Sequence, residues 1–218
     1  GGAVGVVSGR ALGKGVRGGR GSVGRPQCGR NVAARVDGSW GSVGEDGRAP
    51  MSLNAAAHDG EGVPRRQTRL IDGGELVGAL HSTVTARAVG AGAMSTGNAR
   101  RASHKSVPRA APSCLALEPT ISRAELMSGL SEAVYIQQLA GAGVGINAVT
   151  GRVDVGGVGW LLRDGEVAGR LDVIPLTTTL LDFLASVVAV ADDSRAVPSS
   201  SATASTVLCD SRLIQTIS

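Results

Sequence analysis

Asp-Gly dipeptides set between apolar runs govern what this chain can become. Gln67–Ile71 and Leu76–His81 flank Asp72-Gly73-Gly74-Glu75, and Val158–Arg163 and Glu166–Leu171 flank Asp164-Gly165. Asp and Gly tolerate the positive φ of a tight turn, so each arrangement predicts an antiparallel hairpin. A third is predicted where Gly143–Val149 and Arg152–Val155 flank Thr150-Gly151. Such strands need a core, and aromatic rings cannot supply it. Trp40, Tyr135, Trp160 and Phe183 are the only aromatic residues among 218, so the core is expected to be built from Val, Leu, Ile and Ala.

Helical signals are fewer. Thr120–Ile136 carries Ile121, Ala124, Leu126, Met127, Leu130, Val134 and Tyr135 at mostly helical spacing, with Ser122 and Glu125 placed as a capping box. Thr178–Val190 has a broad apolar face. Its length selects a helix over the strand that its final valines favour. After a Ser-rich linker (Pro198–Ala204), Ser205–Cys209 and Arg212–Ile217 alternate weakly and predict two closing strands. The expected class is α+β, mainly antiparallel β-sheet with hairpins and two or so helices.

Several classes are excluded. The 33 glycines hold no three-residue period, against collagen, and three cysteines are too few for a disulfide scaffold. No apolar run reaches the roughly 18 residues of a membrane-spanning helix. The net charge of +4 is unevenly spread: residues 1–50 hold eight Lys/Arg against three acids, and the rest of the chain fourteen against fifteen. Residues 1–50 are expected to be a basic, Gly-rich, poorly ordered segment and residues 51–218 the folded domain. Between Val16 and Ala49 neither a strand nor a helix period persists, so loop is expected there. The basic segment lacks interleaved aromatics for base stacking, which disfavours nucleic-acid binding. Its opening lacks a signal peptide's basic flank, and a start without Met suits a fragment or a processed chain.

Local chemistry is sparse. His58, His81 and His104 lie more than twenty residues apart, and Cys28, Cys114 and Cys209 show no paired spacing, so no local metal site is proposed. The thiols read as buried small hydrophobes or free thiols, in keeping with a reducing compartment. Asp59-Gly60-Glu61 reads as a turn rather than a catalytic carboxylate pair, and Asp192-Asp193 likewise. Gly141–Gly145 lacks the full pattern of a phosphate loop. The most informative cluster is Ser95–Ser103. It joins turn formers to Arg100 and Arg101, whose guanidinium groups suit carboxylates or a peptide C-terminus. The competing reading is a solvated loop whose arginines pair with nearby acids.

At this cluster the order of segments becomes recognisable. DGEGVPRRQT (Asp59–Thr68), LIDGGELVGAL (Leu70–Leu80), STGNARRAS (Ser95–Ser103) and VTGRVDVGGVGWLLRDGEV (Val149–Val167) together resemble the C-terminal half of the TldD/PmbA family, also called TldE or modulator-of-gyrase proteins. The likeness runs from about Glu45 to Arg195. Before it, VSGRALGKG (Val7–Gly15) resembles the family's SG-x-A-x-x-G segment.

That resemblance implies a cytosolic metallopeptidase system in which TldD and PmbA/TldE chains pair to degrade or trim unfolded peptides. One partner holds zinc through a His-Glu-x-x-x-His helix and a later cysteine. The helix would precede the SG-x-A-x-x-G segment, where this chain has Gly1–Val6 with no His and no Glu, as in the PmbA/TldE branch. The late cysteine is unmatched, since Cys209 falls within the closing strand. The family's Pro-Thr-Asn-x-Tyr appears as Pro112-Ser113-Cys114-Leu115-Ala116, and its Gly-Asn-Asp as Ala191-Asp192-Asp193. Between Val16 and Trp40 the Gly/Arg text is what a shifted reading frame would produce.

The resemblance thus implies a zinc-free subunit, or its C-terminal half, with no catalytic or metal residue of its own and with zinc in a TldD-like partner. It would be a cytoplasmic member of a heterodimer acting on unfolded peptides, without membrane attachment. Thr96, Gly97, Asn98, Arg100 and Arg101 are the candidate substrate-lining residues. The alternatives are a non-enzymatic peptide-binding or assembly module and a decayed gene product.

Overall fold

The computed structural model describes residues 6–11, 41–140, 145–147, 150–197, 200–210 and 213. In chain order the first elements are β1 (Val6–Ala11), β2 (Val43–Asp46), β3 (Gln67–Asp72), β4 (Glu75–Leu76), α1 (Thr83–Val89), β5 (Ala99–Arg100), β6 (Arg109–Ala110) and β7 (Leu115–Leu117). There follow α2 (Arg123–Ser128), β8 (Leu130–Ala140), β9 (Arg152–Arg163), β10 (Glu166–Thr179), α3 (Leu180–Ser186), β11 (Val187–Val190), β12 (Arg195–Ala196), β13 (Thr203–Ala204) and β14 (Val207–Cys209). A six-stranded sheet has the order β10-β9-β8-β1-β14-β11, and a four-stranded sheet the order β4-β3-β2-β7. In the larger sheet β1 and β14 run parallel and the other neighbours antiparallel. The α+β class, dominated by antiparallel sheet, is what the hairpin signals predict.

Both Asp-Gly hairpins form. Asp164 and Gly165 take positive φ of 50° and 79° between β9 and β10, which pair far beyond the predicted ends, to Arg152↔Thr179. Gly73 and Gly74 turn β3 into β4, but the returning strand stops at Leu76 instead of reaching His81. Of the third hairpin, the described part is an antiparallel bridge between Ile146 and Val153. Residues 141–144 and 148–149 lie outside the described residues, and so does most of the predicted strand Arg212–Ile217. Two strands, β1 and β2, come from the first fifty residues and take interior places in their sheets. At Val43–Asp46 strand therefore replaces the expected loop, while residues 12–40 lie outside the described residues.

The two predicted helices are both shorter than their apolar text. Ser122 and Glu125 form the expected capping box, yet α2 closes at Gly129 after six residues, and Leu130–Ala140 is strand. The reason lies in where those side chains go. Ala133 and Tyr135 pack into one apolar cluster, and Val134 and Ile136 into the other. A strand covered on both faces needs no polar alternation, so its continuous apolar text mimics a helix. In Thr178–Val190 the helix covers only Leu180–Ser186. Val187–Val190 pairs with β14, as β-branched residues prefer.

The core is aliphatic as expected. Ile136, Val155, Ile174, Leu176, Val187, Val190 and Val207 fill one cluster, and Leu126, Leu130, Leu162 and Leu208 the other. Alternate residues of β14 serve different clusters, which places one cluster on each side of the large sheet.

Asp192 and Asp193 serve structure, as expected. Asp192 accepts from the Arg123 amide, and Asp193 accepts from the Thr206 amide and hydroxyl at 2.8 and 2.7 Å with Arg123 at 3.4 Å. Burial opposes ionisation of Asp193, but the Thr206 hydrogen bonds and the Arg123 charge outweigh it and hold its carboxyl below the usual aspartate value. A depressed folded-state pKa contributes stability above the ordinary aspartate range, lost as pH falls through the folded value. Asp193→Asn is therefore expected to flatten the acid limb of stability against pH, read as urea midpoints from about pH 5 to 2.

Candidate functional site

The predicted substrate-lining residues sit in a lobe assembled around Asp59. Its Oδ1 accepts from the amides of Glu61 and Val63, both at 2.9 Å, and its Oδ2 from the amide of Ala99 at 2.9 Å. The Gly60 amide donates to the Ala99 carbonyl at 2.7 Å. Asp59-Gly60-Glu61 is thus the turn the sequence suggests, and it also fastens the Ser95–Arg101 loop. Glu61 reaches the start of α1, accepting from the Thr83 amide at 2.8 Å and its hydroxyl at 2.7 Å. Both carboxylates are occupied by N–H and O–H donors of the fold, so neither is placed as a general acid or base.

Within the loop, the five residues divide into those that build it and those that face out. The Thr96 hydroxyl accepts from the His81 amide at 2.8 Å. Gly97 has φ +76°, and a Cβ there would strike the Pro64 carbonyl and stand 2.9 Å from Arg65 Cα, so only glycine fits. Asn98 is 2% exposed, and its carbonyl accepts from the Ala111 amide at 2.9 Å. Arg100 and Arg101 are exposed. Among the described residues neither arginine pairs with an acid: Arg101 donates to the carbonyls of Gly60 and Ser106 at 2.8 and 2.9 Å, and Arg100 to the Ser201 hydroxyl at 3.2 Å. Carbonyls orient a guanidinium without neutralising it.

Two buried groups escaped sequence reading. Glu45 on β2 is fully buried, and its Oε1 accepts from the amides of Ser113 and Cys114 at 2.9 and 3.2 Å. Its position in Gly-rich text gave no sign of burial. Asn98 is one of the candidate substrate-lining residues, and nothing in its local text signals that it is buried. Glu45 Oε2, His81 Nδ1 and both amide atoms of Asn98 are buried without a partner among the described residues. All four atoms belong to residues outside the six-stranded sheet. Departures from hydrogen-bond completeness concentrate at functional sites.

The donors among the described residues do not fit a zinc ion. Among the described residues no three of His, Cys, Asp or Glu come together as a metal site. His58 and His104 are exposed on different loops. Cys114 and Cys209 are buried. Burial pushes the Cys209 thiol up to about 12 and raises that of Cys114 as well, which disfavours the thiolate form in both. Both are expected to resist iodoacetamide in the native protein and to react on unfolding, as read by mass spectrometry. Cys28 lies outside the described residues. A cavity of about 250 Å³ beside α3 is lined by Thr177, Asp182, Ser186 and Asp210 and lies apart from this lobe. No described helix is long and apolar enough to cross a membrane.

A family model described as the PmbA/TldA metallopeptidase C-terminal domain matches residues 4–215. The metalloprotease slr0863 of Synechocystis sp. is 34% identical over 151 residues, which is 68% of this chain and 31% of that protein. The chain thus spans about a third of the relative's length. Among solved structures, a proposed modulator of a DNA gyrase from Thermotoga maritima (TM0727) superposes with a TM-score of 0.69 at 26% identity, over 81% of this chain and 39% of that one. TldE from Thermococcus kodakarensis shares the fold, with a TM-score of 0.66 at 22% identity over 81% and 39% of the two chains. The chain belongs to the PmbA/TldD metallopeptidase family and falls in its C-terminal domain.

Proposed function

We propose that this chain is a zinc-free subunit of a PmbA/TldD-type peptidase, or the C-terminal part of one. It would present unfolded peptides to a TldD-like partner that holds the zinc. The observation that carries this reading is the donor chemistry. Gly1–Val6, where the family resemblance puts the zinc helix, has only hydrogen and hydrocarbon side chains, and the described cysteines are buried, with burial raising both thiols. What the chain does offer is strand edge and cation. β10, fourteen residues long and largely exposed, is one of the two outer described strands of the large sheet. An extended peptide can add to such an edge through main-chain hydrogen bonds with little sequence preference. Arg100 and Arg101 would line the substrate path, on a loop shaped by Thr96, Gly97 and Asn98. Pairing and substrate capture of this kind suit a cytoplasmic protein.

The purified chain is expected to leave an unfolded protein substrate intact with or without added zinc, and to support cleavage once mixed with a zinc-bearing TldD-like subunit. Robust zinc-dependent cleavage by the chain alone would overturn the proposal. Peptide binding without any gain on mixing would instead favour a non-enzymatic binding module.

A further inference from the structure

Between Glu75 and Glu118 the chain has no carboxylate side chain and five cations, Arg87, Arg100, Arg101, Lys105 and Arg109. The fold gathers four of these on and beside the β5–β6 pair and brings Arg65 to them. Arg100 and Arg109 are direct cross-strand partners, an arrangement that is repulsive by itself. Arg101 lies over Gly60 at the end of the same strand. Arg65 donates to the Asn54 carbonyl at 2.8 Å, and the Asn54 side-chain Nδ2 donates to the Ser200 carbonyl at 3.0 Å, next to the Ser201 hydroxyl that receives Arg100.

Elsewhere several arginines are neutralised. On the large sheet Arg152, Arg163 and Arg170 pair with Asp154, Glu132 and Asp172 at 2.6, 3.3 and 2.7 Å. Arg65, Arg100, Arg101, Lys105 and Arg109 have no ion-pair partner among the described residues, because the lobe's own acids are held by N–H and O–H donors. A folded chain that tolerates adjacent like charges, with Arg65 and Arg101 oriented by carbonyls, is arranged for an external anion.

We propose that this surface docks a carboxylate-rich segment of an extended peptide, so that acidic stretches are the ones this subunit captures. The inference rests on the reading that peptides are its ligands. Planar guanidinium forks match carboxylates in pairs, and the exposed cations attract a run of acids at low ionic strength. Nucleic acid is the poorer fit: no aromatic residue lies between Trp40 and Tyr135 to stack an unpaired base, and a duplex would be held by phosphate contacts alone.

The test is fluorescence anisotropy on the full chain with three probes: a short peptide alternating Glu and Ser, its Gln-Ser counterpart, and a DNA duplex. The Glu-Ser peptide is expected to bind about tenfold tighter than Gln-Ser at low salt, as a few exposed ion pairs acting together would give, with the gap closing at high salt. Arg100→Gln, Arg101→Gln and Arg109→Gln combined should abolish the gap, whereas Arg17→Gln, Arg20→Gln and Arg30→Gln in the basic N-terminal segment should not. Arg109→Glu alone removes no hydrogen bond within the described residues and should narrow the gap several-fold in a fold of unchanged melting temperature. Equal binding of the two peptides would overturn this inference and leave the peptide-binding reading standing, while binding of neither overturns both. Loss only with the N-terminal set, or tighter binding of the duplex lost with the lobe set, would also overturn it.

Discussion

Glu45→Ala is expected to destabilise the protein by about 3–5 kcal/mol, read as a fall in the urea midpoint. Glu45 lies on the interior strand β2, paired with Leu115 on one side and Thr68 on the other. Its side chain is fully buried and takes the amides of Ser113 and Cys114. Truncation leaves two N–H donors without a partner where water does not reach, each costing about 1–3 kcal/mol, and adds a cavity. Glu45→Gln keeps an amide oxygen for the same donors and should cost only about 1 kcal/mol. Equal losses for the two variants would show that the acceptor contacts contribute little. The effect should extend to peptide binding, because the Leu115 amide donates to the Ser201 carbonyl and Ser201 in turn receives Arg100.

Gly159→Ala is the second large effect, about 3 kcal/mol or more, at the upper end of overpacking costs. Gly159 on β9 is the cross-strand partner of Ile136, beside the irregularity between Ile136 and Gln138. There β8 comes so close that an added Cβ would land on the Tyr135 carbonyl and stand 3.0 Å from Ile136 Cα. Both are backbone, so no rotamer change relieves the contact and the central β8–β9 pairing must shift. Gly169→Ala on the outer strand β10 is the control. Nothing lies within 4 Å of its added Cβ, so that variant should be near neutral. Parallel thermal melts check the pair, and similar losses at both positions would contradict the close approach of β8.

What the sequence disclosed was mainly turn and cap chemistry. Asp164-Gly165 and Ser122 with Glu125 act within a few residues, so their local text suffices to place them. The apolar stretches through Val134–Ile136 and Val187–Val190 carry a helical pattern yet form strands, because strands packed on both faces carry no polar alternation. At the candidate site, the exposed Arg100 and Arg101 were legible from residue type. The burial of Glu45 and Asn98 was not, since it depends on segments far apart in the chain. Charge counted by segment also hid the cationic lobe. It assigned the surplus to residues 1–50, although the acids that balance residues 51–218 lie outside Glu75–Glu118 or, for Asp59 and Glu61, are bound to the fold.

Zinc content tests the central claim most directly. The purified chain, incubated with zinc and freed of excess by gel filtration, is predicted to retain far less than one equivalent by elemental analysis, while a TldD-like partner treated in parallel keeps its metal. One tightly held zinc per chain in the isolated polypeptide would contradict the account.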